Sequence, residues 1–152
     1  MLGKYKFEKF LAKGGFGSIY KAFDTKLKRH VAIKVIKAAP GPDRDRGTAE
    51  MENESQVTAQ VPHANIMTVI DIVTDCDLPY MICEYISGST LMDYINKNHA
   101  YLRDETLVMM LAIDLLTALA VVHEKGFSHR DVKPPNIMIT PDDPSTTKPF
   151  TL

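Results

Sequence analysis

The chain has 152 residues, of which 45% are hydrophobic and 24% charged, and its net charge is −1 with histidine neutral. This composition is typical of a globular domain, and it lacks the basic excess that marks most nucleic-acid-binding proteins. The two cysteines, Cys76 and Cys83, have no metal-site spacing and indicate free thiols in a reducing compartment, so a cytoplasmic location is expected.

No segment of the sequence is predicted to enter a membrane. The N-terminal residues MLGKYKFEKF lack the apolar core of a signal peptide. The most apolar stretch, residues 108–122, contains Asp114 and is shorter than the about 20 residues that a bilayer span requires. It is predicted to be a buried helix.

The first half of the chain is predicted to form mainly strands. Segments rich in aromatic and β-branched residues alternate with glycine-containing or charged turns. The predicted strands cover residues 5–12, 17–24, 30–36, 66–74 and 80–85, with a turn at residues 75–77. A proline- and glycine-containing segment, residues 38–43, interrupts this pattern. A polar helix with a narrow apolar stripe is expected from about residue 48 to residue 60.

The second half is predicted to be mainly helical. A short helix is expected over residues 91–98, and a long one from an Asp104 cap to about Lys125, ended by Gly126. Apolar residues surround most of the long helix, which is therefore expected to lie in a core. A polar loop, a strand and a turn rich in Pro, Asp and Thr complete the prediction. The strand covers residues 137–140, and another is expected to begin at residues 150–152.

The polar loop carries the most specific motif. It reads His129-Arg130-Asp131-Val132-Lys133-Pro134-Pro135-Asn136 and resembles the His-Arg-Asp-x-x-x-x-Asn catalytic loop of protein kinases. Phosphoryl transfer needs a carboxylate beside the attacking hydroxyl and an oxygen ligand for Mg²⁺, which Asp131 and Asn136 can supply. The resemblance implies that Asp131 accepts or orients the hydroxyl, Lys133 stabilises the γ-phosphate and Asn136 binds Mg²⁺. Lys133 at this place is typical of kinases that act on Ser or Thr.

Two further motifs resemble the ATP-binding elements of the same family. Ala12-Lys13-Gly14-Gly15-Phe16-Gly17 resembles the glycine-rich loop, with Ala12 in place of the first glycine, and Val31-Ala32-Ile33-Lys34 is identical to the lysine-bearing strand motif. Glycines let backbone N–H groups approach phosphates, and Lys34 is expected to contact them.

The lysine motif requires a carboxylate partner on the polar helix. Glu50, Glu52 and Glu54 are the candidates, and helical geometry places Glu50 and Glu54 on one face and Glu52 nearly opposite. The resemblance decides between them. His63-Ala64-Asn65-Ile66 resembles the His-Pro-Asn-Ile motif of the family, whose paired glutamate lies nine residues before that histidine, and this selects Glu54.

The segment Pro79-Tyr80-Met81-Ile82-Cys83-Glu84-Tyr85-Ile86 resembles the last strand of the kinase N-lobe and the hinge after it. The resemblance implies that backbone groups of Glu84 and Ile86 bind the adenine edge and that Cys83 is the gatekeeper. Together with the glycine-rich loop and the lysine strand, the implied ATP-binding residues are Leu11, Ala12, Gly14, Gly15, Phe16, Gly17, Ile19, Ala32, Lys34, Cys83, Glu84 and Ile86.

In this order the motifs resemble the eukaryotic-like serine/threonine kinases of bacteria over essentially the whole chain. The implied fold is α+β: an antiparallel N-lobe sheet with one helix over residues 1–86, a hinge from about Glu84, and the start of a helical C-lobe over residues 87–152. The implied reaction transfers the ATP γ-phosphate to a Ser or Thr hydroxyl of a protein, with Mg²⁺ as the second cofactor.

The Asp-Phe-Gly and Ala-Pro-Glu motifs of the family are not found among the 152 residues. No Asp-Phe-Gly follows the catalytic loop, since Asp142 and Asp143 are followed by Pro144 and Ser145. The chain is therefore expected to be part of a longer kinase domain, inactive by itself and prone to associate through an incomplete C-lobe. A non-catalytic module that binds nucleotide or docks a partner is the alternative.

Overall fold

The computed structural model describes residues 3–14, 17–36, 41–97, 105–140 and 143–149. Within these residues the chain forms two compact units. The first unit contains residues up to 59 together with residues 68–85, and the second contains residues 60–67 and the residues from 86 onward.

The first unit is built on an antiparallel sheet of five strands. The strands are β1 (Tyr5–Lys13), β2 (Gly17–Asp24), β3 (Arg29–Ile36), β4 (Val69–Val73) and β5 (Tyr80–Glu84), in the order β1-β2-β3-β5-β4. All five predicted strands are confirmed. The fourth starts three residues later than expected, because the Ile66 N–H donates to the His63 carbonyl in a turn that precedes it.

The core of this sheet lies on one face of its central strand. Side chains alternate between the two faces of a strand, and Val31, Ile33 and Val35 of β3 are at most 5% exposed. They pack with Tyr80 and Ile82 of β5 in one cluster. The opposite face of β3 therefore presents the alternate residues, including Ala32 and Lys34.

Helix α1 (Pro42–Gln60) begins six residues before its predicted start. Proline is tolerated in the first turn of a helix, where its missing N–H is not needed. The carboxylates of Asp43 and Asp45 in the same turn interact favourably with the positive end of the helix dipole. Inside the helix only Gly47 and Met51 are buried. Polar contacts also fasten it, including a hydrogen bond from the Arg44 guanidinium to the carbonyl oxygen of Cys76.

The second unit contains two helices, a single 3₁₀ turn and a three-stranded sheet within its described residues. The elements are β6 (Ser89–Thr90), α2 (Leu91–Lys97), α3 (Glu105–Glu124), the 3₁₀ turn (Pro134–Asn136), β7 (Ile137–Thr140) and β8 (Asp143–Pro149), and the sheet order is β6-β7-β8. The turn predicted after β7 is wrong. Residues 143–149 pair with β7 as an edge strand, where prolines are tolerated. Asp104 and residues 150–152 lie outside the described residues.

Helix α3 ends as predicted. Gly126 has φ of +79°, its N–H donates to the His123 carbonyl, and the Phe127 N–H donates to the Val122 carbonyl. These two bonds form a Schellman motif, which favours glycine at the left-handed position.

The expected burial of α3 is wrong. Ala118 and Val122 are at most 5% exposed, but Met109, Ile113 and Leu116 are 59%, 63% and 64% exposed. These three residues, spaced four and three apart, form one stripe along the helix, called the α3 stripe below. The described part of the unit covers only the opposite side. Among the described helices, none combines the length and apolar character needed to cross a bilayer.

Candidate active site

Strand register brings four of the predicted ATP-binding residues onto one sheet face. Ile19 pairs with Lys34, and Ala32 pairs with Cys83. Cross-strand partners share a face, as do residues two apart on one strand, so all four lie on the same side of the sheet. Ile19, Ala32 and Cys83 are at most 6% exposed. They form an apolar surface beside the Lys34 ammonium group.

Lys34 is paired with one glutamate of α1. Its Nζ lies 2.9 Å from Glu54 Oε2, and the two side chains are only 15% and 14% exposed. Glu50 and Glu52 are exposed on the same helix. The pair joins the central strand to the helix and holds the lysine charge in place. Of the three candidates, Glu54 is the glutamate that the structure places against Lys34.

Glu54 is held in unfavourable surroundings for a carboxylate. Burial raises the pKa of the Glu54 carboxyl, and the nearby Lys34 charge opposes that rise without cancelling it. Among the described residues its second oxygen, Oε1, is buried and receives no hydrogen bond. Leaving a buried acceptor unpaired is costly, so the pair is maintained against a desolvation penalty.

The glycine-rich segment is described at its two ends. The Gly14 N–H donates to the Gly17 carbonyl at 2.9 Å, which closes the segment. A Cβ added to Gly14 would meet no atom nearer than 4.0 Å, whereas one added to Gly17 would lie 2.0 Å from the Val35 carbonyl oxygen. Gly17 is therefore required for the approach of β2 to β3. Gly15 and Phe16 lie outside the described residues.

Leu11 and Ala12, the predicted ATP contacts on β1, are exposed. Ala12 pairs with Ile19 of β2, which places it beside the face described above. Of the predicted contacts after β5, Ile86 is half-buried and belongs to the second unit.

Two groups of Glu84 hold the end of β5. Its backbone N–H donates to the Thr68 carbonyl at 3.0 Å, and its Oε1 accepts from the Thr68 N–H at 2.9 Å. The adenine contact implied for Glu84 would therefore have to use its carbonyl oxygen. The preceding residue, Cys83, is fully buried, and burial raises the pKa of its thiol far above the ordinary range, so this cysteine is an apolar residue and not a nucleophile.

The catalytic-loop residues meet in the second unit. Lys133 Nζ lies 2.8 Å from Asp131 Oδ1. The Asn136 Nδ2 donates to Asp131 Oδ2 at 2.8 Å and to the Asp131 carbonyl at 3.0 Å. The hydrogen bond from Lys133 is the main cause that lowers the pKa of the Asp131 carboxyl, and the one from Asn136 adds to it. The structure thus brings together the three residues of this motif and keeps Asp131 ionised.

The backbone of this loop is strained at Arg130, and hydrogen bonds join the two residues on either side of it. Arg130 has φ of +62°, a left-handed conformation that is costly for a residue other than glycine. The Asp131 N–H donates to the His129 carbonyl at 2.9 Å and also approaches His129 Nδ1 at 3.3 Å. Burial lowers the pKa of His129, which keeps Nδ1 available as an acceptor. Sequence reasoning assigned no role to His129 or Arg130, and a left-handed arginine has no sequence signal.

Asn136 fits the role of a magnesium ligand. It is 9% exposed, and its amide nitrogen takes both recorded bonds to Asp131, so Oδ1 is the atom that can face a cation. Within the part of the chain that the structure describes, no group of three or more His, Cys, Asp or Glu side chains could hold a metal ion. Mg²⁺ commonly binds through one or two protein oxygens, with substrate phosphates and water completing the shell. The donor set present suits a cation that arrives with a nucleotide.

The protein kinase domain family matches residues 5–148. Similar proteins include a probable serine/threonine-protein kinase of Clostridium acetobutylicum, which is 36% identical over 92% of this chain and 21% of its own length. The serine/threonine-protein kinase PrkC of Bacillus subtilis is 33% identical over 90% of this chain and 21% of its own length.

A solved structure with the same fold is Rad53 1–466 in complex with AMP-PNP. It has a TM-score of 0.76 and 28% identity, and the match covers 97% of this chain and 38% of that one. The chain described here belongs to the protein kinase domain family, its relatives are named serine/threonine-protein kinases, and its fold is the α+β fold of that family. It spans about a fifth of the length of the curated relatives named above.

Proposed function

We propose that this chain binds ATP with Mg²⁺ and provides residues for transfer of the γ-phosphate to a Ser or Thr hydroxyl of a protein. Residues 1–86 form the N-lobe in this proposal, with the hinge from about Glu84, and residues 87–152 begin the C-lobe. The Lys34–Glu54 ion pair is the observation that carries it. Kinases of this family require such a strand-lysine and helix-glutamate pair to hold the nucleotide phosphates, and here the two atoms are 2.9 Å apart.

In the proposed scheme Lys34 donates to phosphate oxygens, while Glu54 holds its ammonium group. Gly14 has room on its Cα side for a close approach of phosphate. Ile19, Ala32 and Cys83 provide the apolar surface for adenine, and Glu84 contributes its carbonyl. When bound, Mg²⁺ neutralises the charge that develops on the phosphates.

The catalytic loop acts on the acceptor hydroxyl. Asp131 is kept ionised by Lys133 and Asn136, so its carboxylate can accept a hydrogen bond from the hydroxyl and take its proton as the oxygen attacks. Lys133 places a positive charge where the γ-phosphate develops negative charge. Asn136 offers its amide oxygen to the metal.

A second candidate function is a non-catalytic module that docks a partner. The exposed apolar side chains of the α3 stripe favour it, because contiguous exposed apolar surface marks interaction sites. The two candidates differ in what Asp131 does. A kinase needs its carboxylate for turnover, whereas a docking module does not.

The test is magnesium-dependent ATP binding by the 152-residue chain, measured by competition with a fluorescent nucleotide. Lys34→Met should weaken ATP by about tenfold or more, since a hydrogen bond to a charged group contributes roughly 1.5–3 kcal/mol. Lys9→Met removes the same charge from an exposed position of β1 and should bind as the wild type does. Equal affinity of wild type and Lys34→Met would reject the assignment of Lys34.

Phosphate transfer to a generic protein substrate is measured alongside binding. The 152 residues contain no Asp-Phe-Gly motif, whose aspartate supplies a metal ligand in this family. Transfer by this chain is therefore expected to be slow and to need single-turnover conditions. Any transfer should disappear in Asp131→Asn, with ATP affinity unchanged. Transfer that exceeds the Asp131→Asn level would reject the non-catalytic module.

A further inference from the structure

A cluster of four side chains surrounds the end of β5. Glu8 Oε2 lies 3.2 Å from His30 Nε2 and 3.6 Å from Lys21 Nζ. Lys21 Nζ in turn lies 4.8 Å from the ring centroid of Tyr85, and the ring of His30 lies 6.1 Å from it. The cluster joins three strands to the residue that follows β5. Nothing in the proposed reaction uses these four residues directly.

The cluster is on the same sheet face as the candidate nucleotide-binding residues. His30 precedes Ala32 and Lys34 by two and four residues on β3, so the three share a face. Tyr85 follows Cys83 by two residues, and Cys83 pairs with Ala32. Tyr85 therefore occupies the opposite end of the row that includes Lys34.

The contacts on Tyr85 are suited to fixing its position. A lysine ammonium within about 6 Å of an aromatic centroid is attracted by the ring, more strongly when it is shielded from water. The Lys21 side chain is 24% exposed, and it also forms an ion pair with Glu8, which is 35% exposed. The His30 ring adds a tilted aromatic contact at a favourable separation.

The residue before Tyr85 is also fixed, by other partners. Glu84 is bonded to Thr68 through its N–H and through its carboxylate. Two consecutive residues at the end of β5 are therefore held in place. Glu84 is bonded to Thr68, which precedes β4. Tyr85 is contacted by Lys21 of β2 and His30 of β3. A backbone ordered before ligand binding loses less conformational entropy when the ligand arrives.

We propose that Tyr85, held by Lys21 and His30, is a positioning residue that orders the backbone after β5 for adenine. The inference rests on the proposed function, since it assigns adenine to this backbone. Tyr85 acts through its ring contacts and not through its hydroxyl. Glu8 contributes by holding Lys21 and His30 beside that ring.

The experiment is a double-mutant cycle on nucleotide affinity with Lys21→Met and Tyr85→Leu in the 152-residue chain. Each single variant should bind ATP about two- to fivefold more weakly, which is the range expected for one cation–π contact. The ATP affinity of the double variant should be little lower than that of the single variant that binds more weakly, because both substitutions remove the same contact. Tyr85→Phe keeps the ring and should bind as the wild type does.

Adenosine is the second probe, since it has the base and no phosphates. Tyr85→Leu should weaken adenosine and ATP by the same factor, whereas Lys34→Met should weaken only ATP. A general loss of structure would be visible as a lowered melting temperature and would not be rescued by Tyr85→Phe. Lys9→Met, which changes the strand position paired with Lys21, is the charge-matched control.

Three results would overturn the inference. They are additive effects of Lys21→Met and Tyr85→Leu, unchanged adenosine affinity in Tyr85→Leu, and failure of Tyr85→Phe to retain binding. If the wild-type chain binds neither ATP nor adenosine, the proposed function fails and this inference fails with it. If wild type binds both and only the cycle is additive, the proposed function stands and Tyr85 has no positioning role.

Discussion

The ammonium group of Lys34 and the carboxylate of Glu54 lie 2.9 Å apart although 20 residues separate them in the chain. One residue is on the central strand of the sheet and the other on α1. Both side chains are largely shielded from water, where removing one partner leaves the other charge uncompensated. The pair therefore couples the position of the helix to the charge that we assign to phosphate binding.

The first prediction compares the three helix glutamates. Glu54→Gln should weaken magnesium-dependent ATP binding several-fold, because Lys34 then lacks the charge that orients it. Glu50→Gln and Glu52→Gln remove the same charge from exposed positions and should leave affinity within about twofold, as surface substitutions usually do. Competition binding measures all three variants. Equal losses in the three would contradict the role given to Glu54.

The second prediction concerns the pH dependence of the same pair. Burial raises the pKa of Glu54 above its ordinary value, so the ion pair is lost on acidification at a higher pH than for an exposed glutamate. ATP affinity should fall as the pH drops through that raised pKa. Glu54→Gln should lack this step. Because the nucleotide titrates in the same way in both experiments, the difference between the two pH profiles reports the titration of Glu54.

Stability should respond to Glu54 in the opposite direction. An acid whose pKa is higher in the folded state holds its proton more tightly there. Its contribution to the free energy of unfolding therefore decreases as the pH rises from the unfolded value through the folded one. The melting temperature of wild type minus that of Glu54→Gln, measured against pH, should decrease over this interval. A difference that increases with pH would show that the folded pKa is not raised.

Local patterns were sufficient to predict the five strands of the first unit, β7 and the site motifs. The alternation in residues 29–36 buries Val31, Ile33 and Val35 and leaves Lys34 on the opposite face, and this follows from strand geometry alone. The catalytic loop was likewise visible as a contiguous run of residues. Its three side chains meet because they are only five residues apart at most.

Features that depend on distant partners were not predicted. The proline- and glycine-containing segment was expected to interrupt regular structure, but its Pro42 is the first residue of α1. The pattern of an apolar helix does not tell which sides are covered, so the sequence did not single out Ile113 and Leu116 as exposed residues. The contact between Lys21 and Tyr85 joins residues 64 apart in sequence (85 minus 21) and depends on the register of three strands, β2, β3 and β5.

The third prediction separates the two glycines of the glycine-rich segment. Gly17→Ala should destabilise the chain by about 1–3 kcal/mol, the usual cost of overpacking, because its Cβ would overlap the Val35 carbonyl. Gly14→Ala has room and should change the free energy of unfolding by less than about 0.5 kcal/mol. Urea denaturation measures both. Similar costs for the two would mean that the approach of β2 to β3 at Gly17 is not as close as described.

The fourth prediction concerns the α3 stripe. The 152-residue chain should self-associate at raised concentration, because Met109, Ile113 and Leu116 expose apolar surface in one row. Ile113→Lys with Leu116→Lys should shift it toward monomer without lowering the melting temperature, since both side chains are already exposed. Leu27→Lys alters a similarly exposed leucine of the first unit and serves as the control. Sedimentation velocity that shows a monomer at all concentrations would reject the prediction.

The fifth prediction tests how Lys133 acts on Asp131. The two side chains are 2.8 Å apart, and their hydrogen bond is the main cause that lowers the pKa of the aspartate. Lys133→Met should raise the pKa of the Asp131 carboxyl toward its ordinary value, as followed by carbon NMR of that carboxyl against pH. Lys125→Met, which alters an exposed lysine just after α3, should leave the Asp131 titration unchanged.

The stability of the loop has a pH dependence with a definite sign. Because the pKa of Asp131 is lowered in the folded chain, its stabilising contribution is present above the unfolded value and is lost as the pH falls through the folded one. At 44% exposure of the Asp131 side chain, solvent screening keeps this contribution small, so the NMR titration is the sensitive measurement. In single-turnover assays Lys133→Met should reduce phosphate transfer more than ATP affinity, since Lys133 contacts the carboxylate to which we assign the substrate hydroxyl. An unshifted Asp131 titration in Lys133→Met would show that Asn136, and not the lysine, keeps the aspartate ionised.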